Sequence, residues 1–226
     1  MNLKNLSAKL LATTLILKKG NFLLFYKKLR EYVFYNFIEK WQFVYFESDL
    51  NSDYKFPKSF NEDIKILIAS ESDVEKIKND IFPYMPELAI SDRREILEIG
   101  KKDMLCFLAE KENKFIHYTL IYTKIFDSPL MQTPFDLSSI SSEHAYLSSA
   151  YTVDAERGSW VHLQALSYIL DYLKTKTSLK KTINLVHPNV VGSINYFNRI
   201  GFKIISGPKP PAHVRLVFNL LGYKYS

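Results

Sequence analysis

The chain has 226 residues, 47% apolar and 15% aromatic, with charges of both signs scattered along it. That composition fits one good-sized domain, or a domain with an appendage, and excludes a chain too polar to fold. The single cysteine, Cys106, lies in the apolar run Met104 to Ala109; this excludes a disulfide framework and a cysteine-based metal site, favours a reducing compartment, and makes the cytoplasm the expected location.

The net charge of +6 is unevenly spread: residues 1–30 hold Lys4, Lys9, Lys18, Lys19, Lys27, Lys28 and Arg30 and no acid. The apolar stretch Leu10 to Leu17 is shorter than the about 20 residues that span a bilayer, and no small-residue cleavage site follows it. What remains is a basic amphipathic segment. Its aromatic and aliphatic residues, Phe22 to Val33, could pack on the body of the protein or lie on an anionic membrane, which would place the protein peripherally at the inner membrane surface. A nucleic-acid partner is disfavoured, since the basic residues are interleaved with aliphatics more than with aromatics placed to stack on bases. Trp41 to Phe46 reads as an aromatic strand-like segment.

The polar stretch 51–63 breaks the pattern and sets the expected boundary between a basic N-terminal extension, residues 1–60, and a main domain, residues 61–226. Ile64 to Ala69 reads as a strand. Ser70 with Asp73 three residues on signals a helix start, carried by Val74, Ile77 and Ile81. Asp92 to Ile99 gives a second helix with Gly100 beyond it. Met104 to Ala109 and Phe115 to Thr123 read as an antiparallel hairpin, followed by a long Ser- and Pro-rich loop, Phe126 to Glu143, of a length that points to a substrate site. Ala145 to Val153 is a strand that passes directly into a helix carrying Leu163, Leu166, Ile169, Leu170 and Leu173. Thr182 to Val186 is β-rich, Ser193 to Ile200 is helical and stopped by Gly201, and Phe202 to Ile205 and Val214 to Leu220 close the chain as strands.

That order, with three local patterns, resembles the GCN5-related N-acetyltransferase superfamily over residues 64–220. The patterns are the opening strand and helix through Asp73, the run Tyr151 to His162, and the closing helix ending Arg199, Ile200, Gly201, Phe202. The resemblance implies an α/β (α+β) fold with a mixed, mostly antiparallel sheet flanked by helices. It also implies an acyl-coenzyme A donor, acetyl-CoA or another acyl-CoA, a small-molecule amine or amino sugar as acceptor, direct transfer, and no metal.

A strand turning straight into a helix aims unpaired backbone N–H groups and a positive dipole end at one spot, which suits an anion. In the family that anion is the donor's pyrophosphate, which maps to Arg157, Gly158, Ser159, Trp160, Val161 and His162. Trp160 and His162 replace the family's Gly and Gly or Ala. The donor's arm would run along Tyr151 and Val153, with Asn189 and Ser193 as further donor contacts. At the acceptor end, Glu143, His144, Tyr146 and Ser148 are candidates for a base or for substrate contacts, His144 because histidine titrates near neutrality. Phe197 stands where the family often has the tyrosine that protonates the thiolate, which leaves Tyr196, about 100° away on the helix, or water. These departures also fit a catalytically silent copy of the fold, recruited to a membrane or protein partner by the basic segment. His117, His144, His162, His187 and His213 never stand at metal-ligand spacing, and no nucleophile elbow is present.

Overall fold

A computed structural model describes residues 43–85, 90–100, 103–133, 140–187 and 190–205. The basic segment 1–30, Trp41, Asn189, His213 and the expected strand Val214 to Leu220 lie outside the described residues. The described elements belong to the unit Val44–Gly207. They are β1 (Val44–Asp49), β2 (Lys65–Ile68), α1 (Val74–Asp80), α2 (Ile90–Ile96), β3 (Met104–Lys111), β4 (Lys114–Tyr122), β5 (His144–Thr152), α3 (Val161–Lys176), β6 (Lys181–Val186), α4 (Val191–Ile200) and β7 (Lys203–Ile205).

The strands form one sheet in the order β2-β3-β4-β5-β6-β1-β7. Every neighbouring pair is antiparallel except β5 with β6, which run parallel. β4 is buried along all but its first residue, as a central strand covered on both faces must be. Alternation along the strands sorts the side chains. On one face Phe46, Phe107, Ile121, Ala145 and Leu147 pack with Leu163, Leu166, Ile169, Leu170 and Leu173 of α3 and with Phe197 and Ile200 of α4. On the other, Tyr118 donates to the Asp92 carboxylate at the start of α2, 2.9 Å away. Each large apolar side chain in the first group contributes roughly 1.5–3 kcal/mol of burial, so α3 is fixed to the sheet mainly by its leucine stripe.

The start of α1 follows the sequence signal: Asp73 Oδ2 accepts from the Ser70 N–H at 2.8 Å, tying off one of the donors a helix start leaves unpaired. Four readings shift. The second helix begins at Ile90 and ends at Ile96, and α4 begins at Val191. The described part of the long loop holds the short 3-10 turns Ile125–Asp127 and Pro129–Gln132. The fourth shift concerns the boundary expected in residues 51–63, since Val44–Asp49 is an interior strand of the sheet, paired with β6 on one side and β7 on the other. The polar stretch behind it is a crossing loop, pinned by Leu50 N–H to Lys180 O at 2.8 Å and Lys55 N–H to Ile200 O at 3.0 Å. Among the described residues no helix is long and apolar enough to cross a membrane.

Candidate functional site

The site starts from a fault in the sheet. β5 and β6 are registered only from His144 opposite Lys181 to Leu147 opposite Asn184. Along β4, Ile121 faces Leu147 and Leu120 faces Ser149, so Ser148 is an extra residue, a bulge that bends the strand and increases its local twist. Beyond it, β5 pairs only with β4, while Leu185 and Val186 pair only with β1. The strands diverge, and a cleft of about 530 Å3 opens between them, lined on one side by Leu147 to Thr152 and on the other by Asn184 to His187. The β5 edge facing this cleft has no strand partner among the described residues, so it presents backbone donors and acceptors to whatever enters.

His117 and Thr119, on the α3 side of β4, form part of the lining. His117 is 0% exposed; its Nδ1 is 2.8 Å from Thr152 Oγ1 and its Nε2 2.8 Å from Thr119 Oγ1. Burial, with His162 nearby as a smaller cause, holds His117 well below the ordinary histidine range. The His162 ring stands 5.3 Å from that of His117, and its Nε2 is hydrogen-bonded to the Tyr196 hydroxyl. Burial pushes His162 down to about 4 and raises the Tyr196 phenol well above its usual value. All three rings are therefore neutral at neutral pH.

At its helical end the cleft meets the turn into α3. Gly158 has φ 85° and Trp160 φ 65°. Trp160 thus holds a left-handed backbone although it is a bulky L-residue, 58% exposed. No side chain caps the helix start, and a second section of about 560 Å3 adjoins it, lined by Glu156, Arg157, Trp160, His162, Ser193 and Tyr196 among others. Arg157 is pre-positioned: its Nε donates to Thr152 O at 3.2 Å, its guanidinium pairs with Asp154 at 2.9 Å, and it lies 5.3 Å over the Tyr151 ring.

The structure brings Tyr151, Arg157, Gly158, Trp160, Val161, His162, Ser193 and Tyr196 to the linings of these two sections. Ser159 is adjacent and turns its hydroxyl back to Glu156 O at 2.5 Å. Val153 does not serve as expected: its side chain is buried with Val161, Ile64 and Ile116, and its N–H is taken by Ile116 O at 2.9 Å. His144 and Tyr146 are likewise absent from the cleft lining, because Ala145 and Leu147 take the α3 face of β5 and strand alternation turns their neighbours away. His144 is buried, with Nδ1 3.1 Å from Ser141 Oγ and Nε2 3.6 Å from Glu47; Tyr146 stacks on Tyr122 at 6.4 Å. Glu143 is ion-paired with Lys180, while Ser148 does line the cleft. Sequence reading missed His117 and Thr119, whose signal was two polar residues at strand spacing inside an apolar run. Cys106 is fully buried and its thiol is pushed up by burial. Among the described residues no three His, Cys, Asp or Glu side chains are grouped to hold a metal ion.

Comparison with protein-family models and with curated protein sequences finds no match. Among solved structures, the chain is similar to a functionally unknown conserved protein from Staphylococcus epidermidis ATCC 12228, at 6% identity and a TM-score of 0.51, over 72% of this chain and 57% of that one. It is also similar to a GCN5-related N-acetyltransferase from Kribbella flavida, at 11% identity and a TM-score of 0.47, over 71% of this chain and 53% of that one. A third is an aminoglycoside acetyltransferase from an uncultured soil metagenomic sample, at 12% identity and a TM-score of 0.48, over 68% and 99%. The chain thus spans little more than half the length of the first two. The fold shared with the Staphylococcus epidermidis protein is a mixed, mostly antiparallel sheet flanked by helices, seven-stranded among the described residues.

Proposed function

We propose that this protein is an acyl-CoA-dependent N-acyltransferase, most simply an N-acetyltransferase, acting on a small-molecule amine. The observation that carries the reading is the continuity of the β5–β6 cleft with the uncapped start of α3: a slot with a free strand edge leads to an anion-accepting turn, which matches an amide-containing thioester arm joined to a pyrophosphate. Arg157 and the N–H groups after Trp160 hold the pyrophosphate. The free edge of β5 beside Ser148 binds the arm and polarises the thioester carbonyl.

The donor supplies an activated acyl group. The unprotonated amine attacks its carbonyl carbon, the carbon–nitrogen bond forms, the carbon–sulfur bond breaks, and the thiolate leaves with the electron pair. With the basicity of His117 and His162 lowered by burial, neither is a strong enough base to strip an ammonium, and the amine is selected in its own neutral form. With the Tyr196 phenol raised, the thiolate takes its proton from the ammonium formed on attack or from water. Tyr196 and His162 shape the wall between the two sections.

The test is a thermal-shift titration with acetyl-CoA and longer acyl-CoAs, followed by thiol release against a panel of amines and amino sugars. Stabilisation by the donor and amine-dependent thiol release are expected. Stabilisation without release by any amine would leave a binding module rather than an enzyme.

A further inference from the structure

Asn184 stands where the cleft closes. Opposite Leu147 it forms the last registered pair between β5 and β6, and both residues line the cleft. Its partner on β1 is Phe46, so strand alternation sets Asn184 on the α3 face of the sheet, between Phe46 and Leu147 and two residues from Val186. Those three side chains are buried in the core under α3. An apolar residue would continue that face; a carboxamide withdrawn from water without a partner destabilises it. Asn184 is half-buried, and its carboxamide makes no hydrogen bond among the described residues. Thr119 and Thr152, also in the lining, are by contrast both engaged by His117. A polar residue that breaks a local pattern without a structural return is expected where it meets a ligand.

The charge of the lining narrows what that ligand group can be. Apart from its histidines, the described lining of the cleft carries one charged side chain, Arg157. Arg157 is held at Thr152 O, five residues along β5 from Leu147 and so roughly 16 Å from the closed end. A group bearing a carboxylate would find no cation beside Asn184, and one bearing an ammonium would find no acid. The carboxamide itself offers N–H donors and a carbonyl acceptor, which suits a neutral hydroxyl. Leu147, Leu166 and Phe197, all buried, supply apolar walls around it, which suit a short carbon chain.

We infer that Asn184 selects the acyl group of the donor, favouring a short neutral hydroxyacyl group whose hydroxyl bonds the carboxamide over an alkyl acyl group of the same size. The inference rests on the acyl-CoA reading, with the thioester beside Ser148, and extends it from the class of donor to the acyl group carried. A hydroxyl replaces the water that the carboxamide loses when the cleft fills; an isosteric methyl leaves it desolvated and unpaired.

The test is calorimetry on the full chain with two isosteric pairs, 2-hydroxyacetyl-CoA against propionyl-CoA and 3-hydroxypropionyl-CoA against butyryl-CoA, with acetyl-CoA and succinyl-CoA alongside. The hydroxyl member of at least one pair should bind at least about tenfold more tightly than its alkyl partner, and succinyl-CoA should bind more weakly than either hydroxyacyl form. Asn184→Leu should bring each pair to within about twofold or reverse its order, and in urea it should be at least as stable as the parent. Asn184→Ala, which adds no bulk, should lose the preference as well. Parent affinities within about twofold in both pairs, a preference that survives both variants, or an effect of the variants confined to the Michaelis constant of the amine would each overturn the inference and leave the acyl-CoA reading standing. Absence of binding by every thioester, acetyl-CoA included, would overturn both.

Discussion

Gly158 and Trp160, two residues apart, hold the left-handed backbone positions of the turn into α3, at φ 85° and φ 65°. Glycine adopts that conformation freely; for an L-residue it costs roughly 1–2 kcal/mol. Space is not the constraint at Gly158, where an added Cβ would meet nothing within 4 Å.

Replacing Trp160 with glycine should therefore separate stability from binding. The variant is expected to be more stable by about 0.5–1 kcal/mol, the relief of strain less the entropy of a freer unfolded chain, while acetyl-CoA affinity falls about tenfold. Urea denaturation and calorimetry check the two halves. A gain in donor affinity would mean that the indole obstructs the turn.

Arg157→Ala should weaken acetyl-CoA binding by roughly 1.5–3 kcal/mol, the range for a charge-assisted contact. Its ion pair with Asp154 is exposed on both sides, so little stability should go with it. A donor Michaelis constant within twofold of the parent would remove Arg157 from the pyrophosphate site.

The strand and helix order was legible in the sequence because its signals are local: the Ser70 and Asp73 box, the leucine stripe of α3, the glycine after α4. The turn into α3 was legible too, since Arg157, Gly158 and Ser159 stand between a strand and a helix with a leucine period. Non-local features were not. Nothing in Val44–Asp49 reveals that it pairs with β6 and β7, and the polar residues after it look like a domain break because a crossing loop and a linker share one composition. His144 to Thr152 reads as an unbroken strand, yet the extra residue at Ser148 exists only relative to β4 and decides both where the cleft opens and which side chains face it.

Stability should depend on pH through two histidines of the cleft, the buried His117 and the half-buried His162. His162 falls from about 6.5 unfolded to about 4 folded, and His117 shifts in the same direction. The unfolded chain then binds more protons between these values, so the stability present above pH 6.5 is lost progressively as pH falls toward 4. For His162 alone the loss is at most about 3.4 kcal/mol. Urea midpoints from pH 7.5 to 4.5 should fall, and His162→Gln should flatten the curve; a parental midpoint constant over that range would show that neither histidine is held neutral.

The pH dependence of turnover should instead follow the acceptor. With no cleft histidine acting as base, kcat/KM should rise with pH toward the pKa of the amine used, and Tyr196→Phe should keep kcat within about threefold. A profile that keeps one inflection for amines of different basicity, or a hundredfold drop in Tyr196→Phe, would assign proton transfer to the protein.

The most direct measurement is acetyl-CoA binding by the parent chain and by Ala150→Phe. Ala150 is exposed on the β5 edge and lines the cleft, so a phenyl ring there should fill the slot for the donor's arm with little effect on the core. At a donor concentration a hundredfold above Kd the parent should gain about 2.7 kcal/mol of stability by linkage, and Ala150→Phe, equally stable alone, should gain little. No stabilisation of the parent at concentrations well above micromolar, or equal stabilisation of the two proteins, would contradict placement of an acyl-CoA donor between β5 and β6.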